Sequence, residues 1–330
     1  MVESGQASRQ STEAPLAGLR VLDISSFIAA PAAAVVLGDW GADVIKVEGP
    51  EGDPNRRIMH DSSNYPKAEV NYPWQMDSRN KRSIVLDLKQ PPARAALDRL
   101  IEKSDILICN FPPPVRDKLK LAYDDVKKVN PKLIYASLTG YGESGPDRDR
   151  PGFGTLVEGM SGFAAINGFD DREPVLPPMY LADTIAGLYG ASGVLVALRE
   201  VEHNGGKGQV IDVALTEAVL NVMESLIPEY SAFGEVREPA GSALPGIAPS
   251  NAYPCSDGVV LIAGNGDSIF KRLMATMGRP DLAQDPELAD NAGRVKRVAE
   301  IDAAIGQWTQ AQTVDAVLAQ LALTRAYGFG

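Results

Sequence analysis

The sequence predicts an α/β protein in which a large parallel-sheet domain is followed by a smaller α+β domain. Three observations support this prediction. The 330 residues exceed what one compact core usually holds, which favours two domains. Short apolar runs alternate with amphipathic segments through the first two thirds of the chain. A stretch rich in Gly, Pro, Ala and Ser at 234–254 separates this part from the remainder.

Strand patterns and helix patterns alternate in the first part of the chain. The strand patterns are LRVLDIS (19–25), DVIKVE (43–48), SIVLDL (83–88), DILICNF (105–111), KLIYASLTGYG (132–142) and GQVIDVAL (208–215). Helix patterns lie between or after them at 31–41, 90–104, 122–131, 155–166, 184–201 and 216–229. Such alternation predicts a Rossmann-like parallel sheet covered by helices on both faces.

The last part of the chain has a different pattern. DGVVLIAG (257–264) reads as a strand, and helix patterns follow at 267–278, 298–310 and 313–323. The predicted organisation is a mobile tail (1–16), a large domain (17–232), a linker or active-site loop (233–252) and a small α+β domain (253–330).

Composition argues against several classes of function. A net charge of -11 disfavours nucleic acid as a partner, because duplex binding needs a cationic surface. The two cysteines, Cys109 and Cys255, form neither a disulfide framework nor a metal-binding set, and they fit a reducing compartment. The sequence shows no secretory signal and no uninterrupted apolar run of about 18 residues. These features predict a cytoplasmic protein without a membrane partner.

Histidine is scarce, and this limits the chemistry that the chain can support. His60 and His203 both stand in polar surroundings and are expected at the surface. Common zinc sites and Ser-His-Asp machinery are therefore hard to build, and no metal site is predicted. In a doubly wound sheet, ligands bind beyond the carboxyl ends of the strands. No GxGxxG fingerprint follows any strand, so a dinucleotide site is not indicated.

One carboxylate stands out in the segment LADTIAGLYGASGVLVAL. Asp183 is followed by a long uncharged run with glycines at 187, 190 and 193. The spacing admits two interpretations: an aspartate that caps a buried helix, or a reactive carboxylate at its start. The glycines would allow another backbone or a ligand to approach closely.

The chain resembles the class III CoA-transferases of the CaiB/BaiF type, the group that includes formyl-CoA transferase and carnitine CoA-transferase. Seven segments carry the resemblance in the expected order over about residues 16–225: LAGLRVLDISSFIAAPAAAVVLGDWGADVIKVEGPEGD, NKRSIVLDLK, DILICNF, NPKLIYASLTGYGESGP, GTLVEGMSGFAAING, LADTIAGLYGASGVLVAL and GGKGQVIDVALTEAVL. The resemblance implies an enzyme that uses acyl-CoA and a carboxylic acid as substrates, holds no permanently bound cofactor and forms an interlocked homodimer.

By this resemblance Asp183 is the catalytic nucleophile. Its carboxylate would attack the thioester to form a mixed anhydride, and the CoA thiolate would then form an aspartyl-CoA thioester. An acceptor acid would reverse these steps. No general base is needed, because an aspartate with an ordinary pKa of about 3.9 is ionised at neutral pH. The positive end of the following helix would favour that anion.

The resemblance also implies the CoA contacts. They fall on Ile28, Ala29, Leu86, Asp87, Leu88, Lys89, Asn110, Phe111 and Lys118, and several of these lie at or near predicted strand ends. Lys89 and Lys118 would supply charge to phosphates. Alternatively, both lysines are solvated surface residues, and Leu86 and Leu88 belong to the core of the sheet.

Three departures from the family pattern qualify these expectations. Gly49 stands where many relatives have a phosphate-binding arginine, and Arg56 or Arg57 is a candidate replacement. The segment AGSALPGIAPS lacks the glycine run of the formyl-CoA enzyme, which predicts substrates other than formate or oxalate. The family's chain usually continues beyond the small domain and returns to the first, so this chain is expected to lack that return.

The sequence leaves two alternative functions open. An acyl-CoA racemase of the same fold needs a second acid/base group, but Phe153 in PGFG occupies the position of its histidine. A CoA-binding relative without activity is the other alternative. Phe153 and Met179 mildly favour a partly apolar acid as substrate, although a phenylalanine in this position is more often simply a core residue.

Overall fold

The computed structural model describes residues 14–58, 69–324 and 328–329. Within these ranges the chain forms two compact units. The first comprises the residues up to 164 together with 176–236, and the second comprises 165–175 and 237 onward. The segment 165–175 therefore groups with the later part of the chain.

The first unit is built on a six-stranded sheet. Its strands are β1 (Arg20–Asp23), β2 (Asp43–Glu48), β3 (Lys81–Val85), β4 (Ile106–Cys109), β5 (Ile134–Thr139) and β6 (Val210–Ala214). They pair in the order β3-β2-β1-β4-β5-β6, and every pair is parallel. The central strands are apolar and buried along their whole length, as parallel strands covered on both faces must be. The predicted α/β fold class is confirmed.

Helices follow the strands of this sheet. They are α1 (Ala29–Asp39), α2 (Asn55–Ile58), α3 (Tyr72–Ser78), α4 (Pro91–Glu102), α5 (Pro113–Lys118), α6 (Tyr123–Val129), α7 (Gly154–Met160), α8 (Phe163–Ile166), α9 (Leu181–Asn204), α10 (Leu215–Val222) and α11 (Leu226–Phe233). On one face, Leu97 and Ile101 of α4 pack against Leu22 of β1 and Leu107 of β4. On the other face lie α1 and α9, which pack against each other.

The second unit has its own sheet and core. Strands β7 (Ser250–Pro254), β8 (Val259–Ala263) and β9 (Gly328–Phe329) form an antiparallel sheet. The helices are α12 (Asp267–Thr276), α13 (Pro280–Ala283), a short 3-10 turn (Pro286–Leu288), α14 (Asn291–Lys296), α15 (Val298–Gln310) and α16 (Val314–Thr324). Phe270, Leu273 and Ile305 belong to a buried cluster of this unit.

Several elements differ from the sequence prediction. The helix predicted at 155–166 is broken at Gly162, which adopts φ +85°, and the helix at 216–229 is broken near Glu224, which adopts φ +57°. The third strand ends at Val85 rather than at 88, so residues 86–89 leave the sheet. Strand β7 begins at Ser250, inside the range predicted as a linker, because it pairs with β8.

The strand order creates a crevice at the centre of the sheet. Strands β2 and β3 lie on one side of β1, and β4, β5 and β6 lie on the other. The connections leaving β1 and β4 therefore run in opposite directions and leave space between them. The loops at this point are residues 24–28 after β1 and 110–112 after β4.

Helix α9 combines length with unusually close packing. Gly187 lies so near α1 that a Cβ there would come within 2.8 Å of Ala32 Cβ and 2.9 Å of the Ala29 carbonyl oxygen. A Cβ at Gly190 would meet Leu138 of β5 at 3.0 Å, and one at Gly193 would meet Ile211 of β6 at 2.7 Å. The three glycines therefore permit close approach, as predicted, and the groups that approach them are the protein's own backbone and side chains.

In the part of the chain that the structure describes, α9 is also the one helix long and apolar enough to span a membrane by length and composition. A core helix of a folded domain passes the same test. Helix α9 packs against α1, β5 and β6, as a core helix does.

Candidate functional site

The carboxyl ends of β1, β2 and β3 surround a first cavity of about 330 Å³. Its walls are formed by the loops that follow these strands, at 24–26, 47–54 and 86–89, and by Phe111 and Leu119. This is the edge of the sheet at which the strand pattern predicts a ligand.

A second cavity of about 220 Å³ adjoins the first. Ser26 and Phe111 line both cavities, so the two are neighbours that share a wall, and together they are called the groove. The remaining walls of the second cavity come from the start of α1, from loops at 110–113, 138–140 and 148–153, and from Asp183. Asp183 is the carboxylate in this lining.

Eight of the nine predicted CoA contacts line this groove. Leu86, Asp87, Leu88, Lys89 and Phe111 line the first cavity, and Ile28, Ala29, Asn110 and again Phe111 line the second. Leu86 and Leu88 follow the end of β3, and they line the cavity while they also pack against the core of the sheet. Lys118, in the last turn of α5, is exposed and lines neither cavity.

A buried charge network lies beneath the loop that separates β1 from α1. Lys46 Nζ lies 2.9 Å from Asp53 Oδ2 and 3.7 Å from Asp23 Oδ2, and Lys81 Nζ lies 2.9 Å from the same Asp23 oxygen. These side chains are almost completely buried. Burial alone would raise the pKa of Asp23, but Lys46, Lys81 and the Ser25 hydroxyl lower it to about 2. The carboxylate is thus held ionised.

This network fixes the shape of the loop. Phe27 adopts φ +61°, a conformation that costs energy in a residue with a side chain, and its N–H donates to Asp53 Oδ1 at 3.2 Å. Lys46 Nζ donates to the Ser25 carbonyl at 2.9 Å. The buried charges therefore hold the backbone that forms the floor of both cavities.

Asn110, the residue after β4, is hydrogen-bonded to the same loop. The Ser26 N–H donates to Asn110 Oδ1 at 3.0 Å, and Asn110 Nδ2 donates to the Ser26 carbonyl at 2.7 Å. Its amide is therefore engaged by the chain's own backbone. Asn110 thus shapes the cavity wall, and the second N–H of its amide makes no hydrogen bond among the described residues.

Asp183 lies in the first turn of α9, as its third residue, rather than before the helix. Among the described residues, no hydrogen bond to its carboxylate is found. Burial raises the pKa of Asp183 to about 6, and the negative charges of Glu158 and Asp77 raise it further. The expectation of an ordinary pKa, with the anion favoured by the helix end, is therefore wrong. At pH 7 the carboxylate is still ionised in a ratio of about ten to one.

The Asp183 carboxylate packs directly against the start of α7. A Cβ at Gly154, the first residue of that helix, would overlap Asp183 Oδ2 and lie 3.1 Å from Asp183 Cγ. A residue with a side chain at position 154 would therefore displace the carboxylate. Gly154 is required by this contact and not by a positive φ.

Phe153, the residue before Gly154, is not a core residue. It is 54% exposed, it lines the second cavity, and its ring meets Phe27 edge-on with the centroids 5.8 Å apart. The ionisable side chains in this cavity besides Asp183 are Arg148 and Arg150. A guanidinium does not give up its proton in proteins, so the described residues offer no second acid/base group for a racemase.

Gly49 lines the first cavity with open space around it. Arg56 is not free to replace the missing arginine, because its guanidinium makes two hydrogen bonds to Glu48, at 2.7 and 2.6 Å, and stacks on Trp74 at 4.0 Å. Arg57 is exposed and does not line the cavity. Neither arginine lines this cavity.

The two histidines take no part in the described site. His203 lies exposed in the last turn of α9, where its Nε2 is 2.7 Å from Arg199 Nη1, so its predicted surface position is confirmed. His60 lies outside the described residues. Within those residues, no group of three or more His, Cys, Asp or Glu side chains is arranged to hold a metal ion.

Sequence reasoning missed four residues of the site. Gly154 and Glu158 lie on α7 and reach Asp183 only through tertiary packing, although Gly154 stands beside Phe153 in the segment that was compared with the racemases. Arg148 and Arg150, in PDRDRPGFG, line the second cavity. The signal available in the sequence was the position of these two arginines, just before Phe153.

A doubly wound parallel sheet with cavities at its switch point, and a carboxylate in the wall of one of them, is the arrangement in which α/β proteins bind their ligands. The family model for CoA-transferase family III matches residues 16–327. The chain belongs to this family and is a CoA-transferase that uses CoA thioesters as substrates.

Individual relatives agree with this assignment. The chain is 40% identical to succinyl-CoA–D-citramalate CoA-transferase of Chloroflexus aurantiacus over 310 residues, which are 93% of this chain and 76% of that protein. It is 36% identical to succinate–glutarate CoA-transferase of Agrobacterium fabrum over 291 residues, which are 87% and 72% of the two proteins. A CaiB/BaiF family protein from Brucella suis has a similar structure, with a TM-score of 0.82 at 35% identity over 96% of this chain and 83% of that one.

Proposed function

We propose that this enzyme transfers CoA from an acyl-CoA to a short dicarboxylic acid, and that Asp183 carries the covalent intermediates. The observation that carries the proposal is the Asp183 carboxylate, which lies without a hydrogen-bond partner among the described residues at one end of the two-cavity groove. A carboxylate in this state is available to attack a carbonyl carbon.

The first half of the reaction loads the enzyme. An Asp183 oxygen attacks the thioester carbonyl carbon, the C–S bond breaks, and CoA leaves as a thiolate. The product is a mixed anhydride between Asp183 and the acyl group. The thiolate then attacks the Asp183 carbonyl carbon, the anhydride C–O bond breaks, and the donor acid leaves as a carboxylate. Asp183 now holds CoA as a thioester, and no proton has been transferred.

The second half transfers CoA to the acceptor. An oxygen of the acceptor carboxylate attacks the aspartyl-CoA carbonyl carbon, and the CoA thiolate leaves again. The thiolate then attacks the acceptor's carbonyl carbon in the new anhydride. This releases the new acyl-CoA and restores the Asp183 carboxylate. Because each step exchanges one anion for another, no general base is needed, which agrees with the lack of histidine in the described site.

The groove suggests how CoA lies within the first unit. We assign the nucleotide end to the first cavity, where Lys89 offers a positive charge, and the thioester end to the second cavity beside Asp183. The pantetheine arm would pass between them over Ser26 and Phe111, which line both cavities. Lys118 lies outside the groove and is not assigned a contact.

Lys89→Ala should weaken acyl-CoA binding. Loss of one charge-assisted contact to a phosphate is worth about 1.5–3 kcal/mol, so we expect KM for acyl-CoA to rise about tenfold or more with a smaller change in kcat. Lys118→Ala is the matched control, and its KM should stay within about twofold of the wild-type value. Steady-state kinetics at constant ionic strength measures both. Equal effects from the two variants would contradict the assignment of the nucleotide end.

Two arginines support a dicarboxylic acid as the transferred group. Arg148 and Arg150 line the second cavity with Asp183, and their ion-pair partners are nearby surface carboxylates, Asp149 at 3.4 Å and Asp147 at 3.9 Å. Such exposed pairs are weak, so the guanidinium groups can receive the second carboxylate of a substrate. The relatives above are named for succinyl, citramalate and glutarate groups, which are all dicarboxylic.

An exchange assay tests this function. Purified protein is incubated with succinyl-CoA and a panel of dicarboxylic and monocarboxylic acids, and mass spectrometry follows the new thioesters. We expect exchange with short dicarboxylic acids and at least tenfold less with monocarboxylic acids of the same length, because these have no second carboxylate to pair with a guanidinium. Hydroxylamine added during turnover should modify Asp183. Free acid as the sole product, or trapping at another residue, would contradict the proposal.

We also propose that the enzyme works as a cytoplasmic homodimer. Apolar side chains stay exposed along α9 and α11, among them Leu188, Val196, Tyr230 and Phe233. Apolar surface of this kind is typical of an interface between subunits. Light scattering on the purified protein measures the mass, and a monomer at micromolar concentration would contradict the dimer.

A further inference from the structure

Glu158 is a buried carboxylate beside the nucleophile. It lies on α7 and is 1% exposed. Its Oε1 accepts a hydrogen bond from the N–H of Ala182, the residue that precedes Asp183, at 3.0 Å. Its Oε2 is buried and has no hydrogen-bond partner. A buried carboxylate oxygen without a partner costs free energy, so its presence beside the reacting group calls for an explanation.

The contact with Ala182 gives Glu158 a structural role. Helix α9 has no side-chain cap at Tyr180, its N-cap residue, and Ala182 N–H is one of the free donors at its start. Glu158 satisfies that donor from a neighbouring helix. This contact holds the first turn of α9, and with it Asp183, against α7.

The charge of Glu158 has a second effect, because no cation of the described residues offsets it at Asp183. The groups that shift the pKa of Asp183 are Glu158 on α7 and Asp77 on α3, and both raise it. Other charged groups of the elements around α9 do not shift it: Asp39 at the far end of α1, Asp212 on β6, Glu217 on α10, and Arg148 and Arg150 of the cavity wall. The Asp183 carboxylate is thus partly buried and lies near other negative charges.

We propose that Glu158 is a positioning residue that favours the covalent intermediates by making the free Asp183 carboxylate unfavourable. This inference rests on the function proposed above. When Asp183 becomes an anhydride or a thioester it loses its charge, so repulsion from Glu158 is relieved. The like charge therefore shifts the equilibrium toward acylated Asp183 by the same electrostatic free energy that opposes its ionisation.

Glu158→Gln tests the charge while it keeps the hydrogen bond, since an amide oxygen also accepts from Ala182 N–H. Protein is equilibrated with succinyl-CoA and succinate at a fixed ratio, and intact-protein mass spectrometry measures the fraction held as aspartyl-CoA. We expect the equilibrium constant for loading to fall about tenfold, which corresponds to one pKa unit. In parallel, the pH profile of kcat/KM should change. The apparent pKa of its acidic limb, expected near 6 in the wild type, should fall by about one pH unit in Glu158→Gln.

Glu202→Gln is the matched control, because Glu202 is exposed near the other end of α9. It should change neither the loading equilibrium nor the pH profile. A purely structural role for Glu158 predicts lower activity in Glu158→Gln with both readouts unchanged, and that result would overturn the inference. Glu158→Asp keeps the charge but shortens the side chain, and its acidic limb should stay near that of the wild type.

A measurement on the wild-type protein removes dependence on how the variants fold. Carbon-13 NMR of labelled aspartate, assigned by comparison with Asp183→Asn, gives the pKa of Asp183 directly. A value near 6 that falls in Glu158→Gln supports the inference, whereas a value below about 4 in the wild type, or one that Glu158→Gln leaves unchanged, overturns it. If Asp183→Asn still transfers CoA, the proposed function itself is wrong. If Asp183→Asn is inactive but Glu158→Gln matches the wild type in both readouts, only this inference fails.

Discussion

Asp183→Asn will abolish CoA transfer while it stabilises the fold. An amide is a poor nucleophile toward a thioester, so we expect the exchange rate to fall about 10³-fold or more. No aspartyl-CoA adduct should appear in the mass spectrum of the intact protein. The exchange assay described above measures both quantities.

The stability effect follows from the pKa of Asp183. In the folded protein this pKa is about 6, whereas an exposed aspartate titrates near 3.9, so the folded state binds the proton more tightly than the unfolded state does. The stabilisation by that proton is complete below about pH 4 and is lost as the pH rises through about 6. At pH 7 the asparagine variant avoids this penalty and should be more stable by about 1–3 kcal/mol. Near pH 4 the difference should vanish.

Urea unfolding at pH 4 and at pH 7 measures the difference in free energy of unfolding between Asp183→Asn and the wild type. Asp117→Asn, at an exposed position on α5, is the control and should change neither stability nor activity appreciably. If Asp183→Asn is less stable than the wild type at pH 7, the fold stabilises the ionised carboxylate, which would contradict the raised pKa of Asp183. Wild-type exchange activity in that variant would exclude Asp183 as the nucleophile.

Gly154→Ala will reduce activity strongly through a single methyl group. The new Cβ would overlap Asp183 Oδ2, so the carboxylate must rotate away from its position in the second cavity. Because attack requires alignment to within about 1 Å, we expect kcat to fall about 10²-fold. The fold should be retained, since alanine is a better helix former than glycine and position 154 does not adopt a positive φ.

Gly159→Ala on the same helix provides a matched comparison. A Cβ at position 159 meets nothing within 4 Å, so this variant should keep full activity and match or exceed the wild type in stability. Exchange kinetics and thermal unfolding of the two variants separate the steric effect from a general effect of glycine replacement. Equal activity in Gly154→Ala and the wild type would show that Asp183 does not react from this position.

The fold could be predicted because it depends on local patterns. Buried parallel strands such as β4 and β5 appear as short apolar runs, and the alternation of strands with helices fixes the class of sheet. Asp183 was singled out because an isolated carboxylate at the start of a long uncharged helix is visible in the sequence alone. The family resemblance then gave it a role.

The surroundings of Asp183 could not be predicted in the same way. Gly154 and Glu158 touch its region only after α7 and α9 have packed together, and no sequence spacing reports that contact. For the same reason the sequence does not predict the raised pKa of Asp183. Burial and the charge of Glu158 raise this pKa more than the positive end of α9 lowers it. Phe153 seemed suited to a core, yet it lies at the mouth of a cavity because its ring has Phe27 as a neighbour rather than the sheet.

The glycines of α9 have a consequence for how the sulfur atom moves during turnover. Contacts of Gly187 with the α1 backbone, and of Gly190 and Gly193 with two strands, leave the helix no room to slide. In the proposed mechanism Asp183 would therefore stay in place, and the thiolate would have to reach two carbonyl carbons on either side of one bridging oxygen. CoA would remain tethered by its nucleotide while the end of its flexible arm swings across that short distance in each half-reaction.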